Sequence, residues 1–240
     1  MKRLDVYLFE KQFFPTREKS KEAIINGNVL VDVKICKRAS KMVDELNVIN
    51  IVGKTLQYVS RAGLKLEGAQ KAWNISFKNK VVLDVGASTG GFTDFALQNG
   101  ASKVIALDVG TAQLHEKLLK NSKVVNLEKT DFRQFSTNEN IDIVVCDCSF
   151  ISLKLLIFKF DEIVKSGKEL VVLIKPQFEC GKEIAKNCNG IIKDNIIQEK
   201  IKKEIVKEFE KYSFKNIGTI DSPILGTKGN REFLAYFVKR

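Results

Sequence analysis

The 240-residue chain predicts an α/β protein: a doubly wound, mostly parallel sheet that ends in an antiparallel hairpin, preceded by a small α+β module. Three observations carry this. From Lys80 onward, short apolar runs alternate with helical stretches, as strands buried on both faces require. Near the end, Lys215 to Ile220 and Phe233 to Val238 flank the turn-forming segment Gly226-Thr227-Lys228-Gly229-Asn230. The first 55 residues have a different texture, with two short amphipathic segments and two short strands.

In the first part, Leu4, Val6, Leu8 and Phe9 open one helix, and Thr16 stands as N-cap before a second, Arg17 to Ile25. Asn26-Gly27 should end it, because both residues tolerate the left-handed conformation found there. Asn28 to Asp32 and Asn47 to Ile51 read as strands. The later runs, Val81 to Leu83, Lys103 to Leu107, Val124 to Leu127, Ile141 to Val145 and Leu170 to Ile174, supply the parallel sheet, with a helix over Leu64 to Trp73 leading into it. The expected division is 1–55 for the small module, 56–62 for a linker and 63–240 for the sheet domain, with Gly53 to Val59 as the connection.

Composition narrows the function. Apolar residues make up 44% and charged residues 29%, which excludes disorder and a multi-pass membrane protein. Lys and Arg exceed Asp and Glu by 40 to 29, so an anionic partner is expected, nucleic acid first. Five cysteines without a CxxC pair read as reduced thiols, and His115, the one histidine, gives no basis for a zinc site. Without a signal-like core, or a run near the ~20 apolar residues that span a bilayer, the expectation is a cytoplasmic protein without membrane or metal.

The strongest chemical signal is Leu83 to Phe92, a strand entering a glycine-rich turn that opens a helix. Gly86, Ala87, Ser88, Gly90, Gly91 and Phe92 would bring backbone close to a ligand, and Asp84 just before them suits a cationic amine better than a pyrophosphate. A nucleoside cofactor without phosphates is expected. Asp108, 22 residues after Gly86, is placed to take ribose hydroxyls or to cap a helix; Asp131 could accept from an adenine amine, or equally cap a short helix. Asp147 and Lys175 stand at two further strand ends, where ligands of such sheets bind. Emergence from a buried apolar strand strips water from Lys175, as a general base requires, with Asp147 to orient it. Lys65 and Glu232, taken singly, read as surface charges.

Together with DVGASTGGFTD, DCSFISL, KPQFE and GNREF, the set Lys65, Asp147, Lys175 and Glu232 resembles the Lys-Asp-Lys-Glu tetrad of the FtsJ-like RNA 2'-O-ribose methyltransferases. RLDVYL, TREKSKEAIINGNVLVD and NVINIV resemble an S4 RNA-binding domain. An S4 module followed by SRAGLKL and such a domain is the arrangement of the TlyA family, also known as haemolysin A. The resemblance implies a Rossmann-like class I methyltransferase sheet and S-adenosylmethionine as cofactor, held by the glycine turn, Asp84, Asp108, Asp131 and Asp147. The tetrad would be catalytic, and the substrate a cytidine ribose in rRNA. The chain's short ends fit the subgroup that modifies only the large subunit, in helix 69, with an effect on capreomycin-like antibiotics. Lys2, Arg3, Arg17, Lys19, Lys21, Lys37, Arg38 and Lys41 are the candidate RNA contacts. The alternative is a non-catalytic S4 RNA-binding or assembly protein that keeps the fold. Phe92, Phe150 and Phe178 read first as core and second as walls for a base, and Glu199 to Lys211 as a solvated helix with i, i+4 pairs.

Overall fold

The structure is a computed structural model that describes residues 1–32, 34–51, 57–181, 188, 190–226 and 229–240. Much of the expected connection, and Thr227-Lys228 of the expected turn, lie outside the described residues. The chain forms two compact units, Met1–Thr55 and Leu56–Arg240.

In the first unit, strand β1 (Lys2–Arg3) runs into α1 (Leu4–Glu10), followed by α2 (Arg17–Ile25). The Thr16 hydroxyl accepts from the Lys19 amide at 3.1 Å, so α2 starts where the cap residue places it. Strands β2 (Val29–Val31), β3 (Lys34–Ile35) and β5 (Ile49–Ile51) form a sheet in the order β3-β2-β5, and β4 (Met42–Val43) pairs with β1. Leu4, Leu8, Ile24, Val29, Val31 and Val43 close a small core between helices and strands.

The second unit opens with α3 (Ala62–Trp73) and then builds β6 (Val81–Val85), α4 (Gly91–Gln98), β7 (Lys103–Leu107), α5 (Glu116–Leu119), β8 (Val124–Leu127) and β9 (Ile143–Cys146). It continues through α6 (Ile157–Ile163), β10 (Glu169–Ile174), α7 (Pro176–Glu179), α8 (Asn195–Glu210), β11 (Phe214–Asp221) and β12 (Phe233–Lys239). The seven-stranded sheet runs β11-β12-β10-β9-β6-β7-β8, parallel from β10 to β8 and antiparallel at β12 and β11. This is the Rossmann-like mixed sheet with a terminal antiparallel pair that the sequence predicts.

Side-chain alternation in the central strands explains the continuous Val/Ile/Leu runs. Val144, Cys146, Leu170, Val172 and Ile174 face one core, with Phe160 and Phe209, whereas Ile143, Val145, Val171 and Leu173 face the other, with Leu66 and Phe95. The order reverses at β6, whose neighbours are β9 and β7, so the carboxyl ends of β6, β9 and β10 meet at one crevice. The helix expected over Glu199 to Lys211 falls on α8 and its C-cap Lys211, but its charge pairing differs from expectation. Its on-helix ion pairs are i, i+3 (Lys202 with Glu199, Lys211 with Glu208), while Glu199 and Glu204 also pair with Arg231 and Lys154 outside the helix. Arg231 and Lys154 reach the helix from distant parts of the chain, which no spacing along the helix shows.

Candidate active site

The glycine turn leaves β6 at its carboxyl end. Gly86 has φ +81°, and a Cβ there would meet the Cys148 Sγ at 3.1 Å and the Asp147 carbonyl oxygen at 3.2 Å. Only glycine supplies this backbone shape and this closeness to the next strand end. Ser88, at φ +47°, donates its amide to Asp108 Oδ2 at 2.8 Å, and Gly110 donates to Asp108 Oδ1 at 2.7 Å. Asp108 is thus held rigidly at the end of β7, facing the turn. Phe92 is buried beneath the turn in the core, as its first reading expects.

Asp84 lies within β6 and is buried. Its Oδ2 accepts from the Thr93 hydroxyl at 2.6 Å, while Oδ1 has no partner. Burial pushes its carboxyl up to about 7, against the Thr93 hydrogen bond, with the nearby Asp147 and Asp108 charges adding to the rise. Asp131 follows β8 and caps a short 3₁₀ turn; it accepts from the Arg133 amide at 2.9 Å and pairs with the Arg133 guanidinium at 2.6 Å.

Four charged side chains, from α3, from just past β9 and β10 and from just before β12, converge beside this turn. Lys65 is buried on α3, and its ammonium donates to Asp147 Oδ2 at 3.2 Å and to Glu232 Oε2 at 2.9 Å. Lys175, also buried, donates to the Ser149 hydroxyl at 2.8 Å and lies 2.6 Å from Asp147 Oδ1. The last contact is an ion pair out of line for a hydrogen bond, which leaves Asp147 Oδ1 without one. Two ammonium groups and two carboxylates therefore alternate Glu232, Lys65, Asp147, Lys175, and no buried charge stands alone. Glu232 is positioned by its neighbour Asn230, which accepts from the Ile192 amide at 3.1 Å and donates to the Gly190 carbonyl at 2.8 Å.

Three neighbours had no role in the sequence reading, although they sit inside the motifs DCSFISL and KPQFE: Ser149, Gln177 and Glu179. Gln177 Nε2 approaches Glu232 Oε1 at 3.5 Å. Glu179 accepts from the Leu153 amide at 2.8 Å and from the Ser152 hydroxyl at 2.5 Å, which fastens the loop after β9 to α7. That loop holds Phe150 at φ +65°, with 90% of the residue exposed and its ring 5.1 Å from Phe178. The core reading of Phe150 is therefore corrected: a bulky residue in left-handed backbone presents its ring outward beside the tetrad.

Among the RNA candidates, Arg3 and Arg17 both pair with the buried Asp5, at 3.0 and 2.9 Å. Burial works to raise the Asp5 carboxyl, and the two guanidiniums more than offset it, holding it below the usual carboxylate range. Lys2 pairs with Glu10, Lys19 with Glu22, and Arg38 donates to Ser40. Lys21, Lys37 and Lys41 have no ion-pair partner among the described residues.

A glycine turn at the switch point of this sheet, a carboxylate at the end of the next strand and an adjacent Lys-Asp-Lys-Glu cluster define the class as a Rossmann-fold methyltransferase. FtsJ-like methyltransferases match residues 58–239 and the S4 domain matches residues 2–49. The chain belongs to the TlyA/haemolysin A family, FtsJ-like methyltransferases with an N-terminal S4 domain. Hemolysin A of Brachyspira hyodysenteriae is 42% identical, over 98% of this chain and 99% of its own. The 23S rRNA (cytidine-2'-O)-methyltransferase TlyA of Campylobacter jejuni is 37% identical, over 97% and 98%. The solved structure of a Streptococcus thermophilus protein under the hemolysin name superposes with a TM-score of 0.77 at 38% identity, covering 99% of this chain and 88% of that one.

Proposed function

We propose that this protein transfers a methyl group from S-adenosylmethionine to the 2'-hydroxyl of a cytidine ribose in ribosomal RNA, with the large subunit, at helix 69, as its target. The observation that carries the reading is the alternating buried cluster of Lys65, Asp147, Lys175 and Glu232 beside a glycine turn. The turn fits the cofactor: Gly86 leaves a cradle that a side chain would fill, Asp84 holds an unpartnered buried oxygen, and Asp108 stands at the strand end where a ribose is met. Gly86 to Phe92, Asp84, Asp108, Asp131 and Asp147 are the residues that would hold it. When bound, it supplies an electrophilic methyl group.

A ribose hydroxyl is a poor nucleophile at neutral pH, so a base must take its proton as the oxygen attacks. Lys175 is the proposed base: its ammonium, held by Asp147 and Ser149, first gives up one proton to solvent, and the neutral amine so formed takes the hydroxyl proton as the oxygen attacks. Lys65 and Glu232 then orient the ribose, since their mutual pairing keeps both aimed at one point. Phe150, exposed, and Phe178, half-buried, form an aromatic pair on which the unstacked base can lie. The S4 unit contributes phosphate contacts, with Lys2, Arg3, Arg17, Lys19, Lys21, Lys37, Arg38 and Lys41 as the cations. On this reading the enzyme works in the cytoplasm, and its loss alters sensitivity to capreomycin-like antibiotics.

The test is transfer of radiolabelled methyl from S-adenosylmethionine to unmodified large and small ribosomal subunits in parallel. Label in the large subunit alone is expected. Label in both keeps the enzyme and removes the subunit preference; label in neither gives weight to a non-catalytic RNA-binding protein.

A further inference from the structure

Helix α8 carries a row of exposed lysines on its outer face. Lys200, Lys203 and Lys207 are exposed and, at 100° per residue, fall within one narrow stripe. None has a carboxylate partner among the described residues. Of the flanking acids, Glu199 pairs with Lys202 and Arg231 and Glu208 with Lys211, while Glu204, 3.8 Å from Lys154, borders the stripe. Spacings of three and four residues place these like charges side by side on the helix surface. Lys207, in the last turn, suits the helix dipole, but Lys200 and Lys203 do not have that justification.

The stripe has a fixed relation to the active site. At its amino-terminal end, Gln198 donates to the Ile192 carbonyl at 2.6 Å, the Ile192 amide donates to Asn230, and Glu199 pairs with Arg231 at 3.2 Å. Asn230 and Arg231 directly precede Glu232 of the tetrad. The lysines thus begin beside the strand start that carries Glu232 and continue away from it along the helix. From Lys200 to Lys207 the helix rises about 10 Å. That length lets the three ammonium groups meet an extended stretch of phosphate backbone rather than a single phosphate.

We infer that the Lys200-Lys203-Lys207 face of α8 is a second RNA-binding surface, which takes the phosphate backbone of the same ribosomal RNA whose ribose enters the tetrad. This rests on the rRNA methyltransferase reading above. Because the surface belongs to the catalytic unit, it gives that unit its own hold on RNA, separate from the cations of the S4 unit. Ammonium groups on long stems supply charge without base readout, so the surface adds affinity and orientation rather than sequence choice.

The experiment uses the full chain and its Lys200→Gln/Lys203→Gln/Lys207→Gln variant, which keeps helix propensity and removes the charge. Binding to unmodified ribosomal subunits is measured across a salt series, with methyl transfer at saturating subunit. Expected are an affinity loss of about tenfold or more, a fall of about two in the slope of log K against log salt, unchanged kcat and unchanged thermal melting. The triple Lys→Arg variant is expected to bind like the parent. A triple Gln variant with parental affinity and slope overturns the inference, as does one that loses only its capture by phosphatidylglycerol vesicles. If the parent itself binds neither subunit, the rRNA reading falls first and this surface falls with it.

Discussion

At the scale of single residues, the site is an exercise in buried charge. Lys65 is shared between Asp147 and Glu232, so truncating it leaves Glu232 without its cation and Asp147 with only one. Lys65→Ala should therefore destabilise the fold by about 3–5 kcal/mol, and Lys65→Ala/Glu232→Ala by clearly less than the sum of the two single changes. Urea unfolding of the four proteins measures this, and strict additivity would show that the pair is not coupled. Asp84 sets a different dependence. Its folded carboxyl titrates near 7 against about 4 in the unfolded chain, so the native state keeps a proton that the unfolded state has already released. The associated stability is complete below pH 4 and is lost as pH rises through 7, by at most about 4 kcal/mol for three units. Between pH 5 and 8, Asp84→Asn should lose less stability than the parent; parallel profiles for the two proteins would remove Asp84 as the source. Phe150 completes the residue view: with its ring in solvent, Phe150→Ala should leave the melting temperature within a degree or two while raising KM for RNA. A large drop in stability would return it to a packing role.

At the scale of elements, the site depends on close backbone approach between α3 and α4. A Cβ on Gly91, the first residue of α4, would lie within 3 Å of the Ser60 hydroxyl, the Ala62 side chain and the Gly63 amide nitrogen. The amide belongs to backbone and cannot swing aside, so Gly91→Ala should cost about 1–3 kcal/mol and displace the glycine turn. Calorimetric titration of S-adenosylmethionine into the variant should show weakened binding, and parental affinity would show that the turn tolerates the shift. The sheet that supports this contact was legible in sequence because strands buried on both faces leave continuous Val, Ile and Leu runs, from Val104 to Ile174. Strands β1, β3 and β4 were not legible, because two residues are too few to show alternation. Helix α8 was visible, but its ion pairs were not, because Arg231 and Lys154 reach it only in three dimensions. The cluster itself joins Lys65 to Glu232 across 167 residues, a separation that no local pattern spans. Motif resemblance brought those two residues forward; spacing alone left them as surface charges. Phe150 shows the limit in the other direction, since a phenylalanine reads as core until its loop is known to turn it outward.

At the scale of the whole molecule, the chain separates holding RNA from changing it. The excess of 40 basic over 29 acidic residues is spread through both units, while the charges at the tetrad cancel, two against two. Long-range attraction to RNA therefore comes from the surface and should not depend on the tetrad. Lys175→Ala removes the proposed base, and on this account it should abolish methyl transfer while subunit affinity and its salt slope stay at the parental values. The variant leaves Asp147 less well compensated, so both measurements belong well below its melting temperature. Loss of RNA binding in step with methyl transfer would mean that Lys175 supports the RNA-bound shape of the site rather than the proton transfer. Retention of both would move the base to another group. A variant that binds normally and transfers nothing would place the chemistry at the end of β10 and the affinity elsewhere, a division consistent with the tetrad's lysines being buried and paired while Lys200, Lys203 and Lys207 are exposed without an ion-pair partner among the described residues.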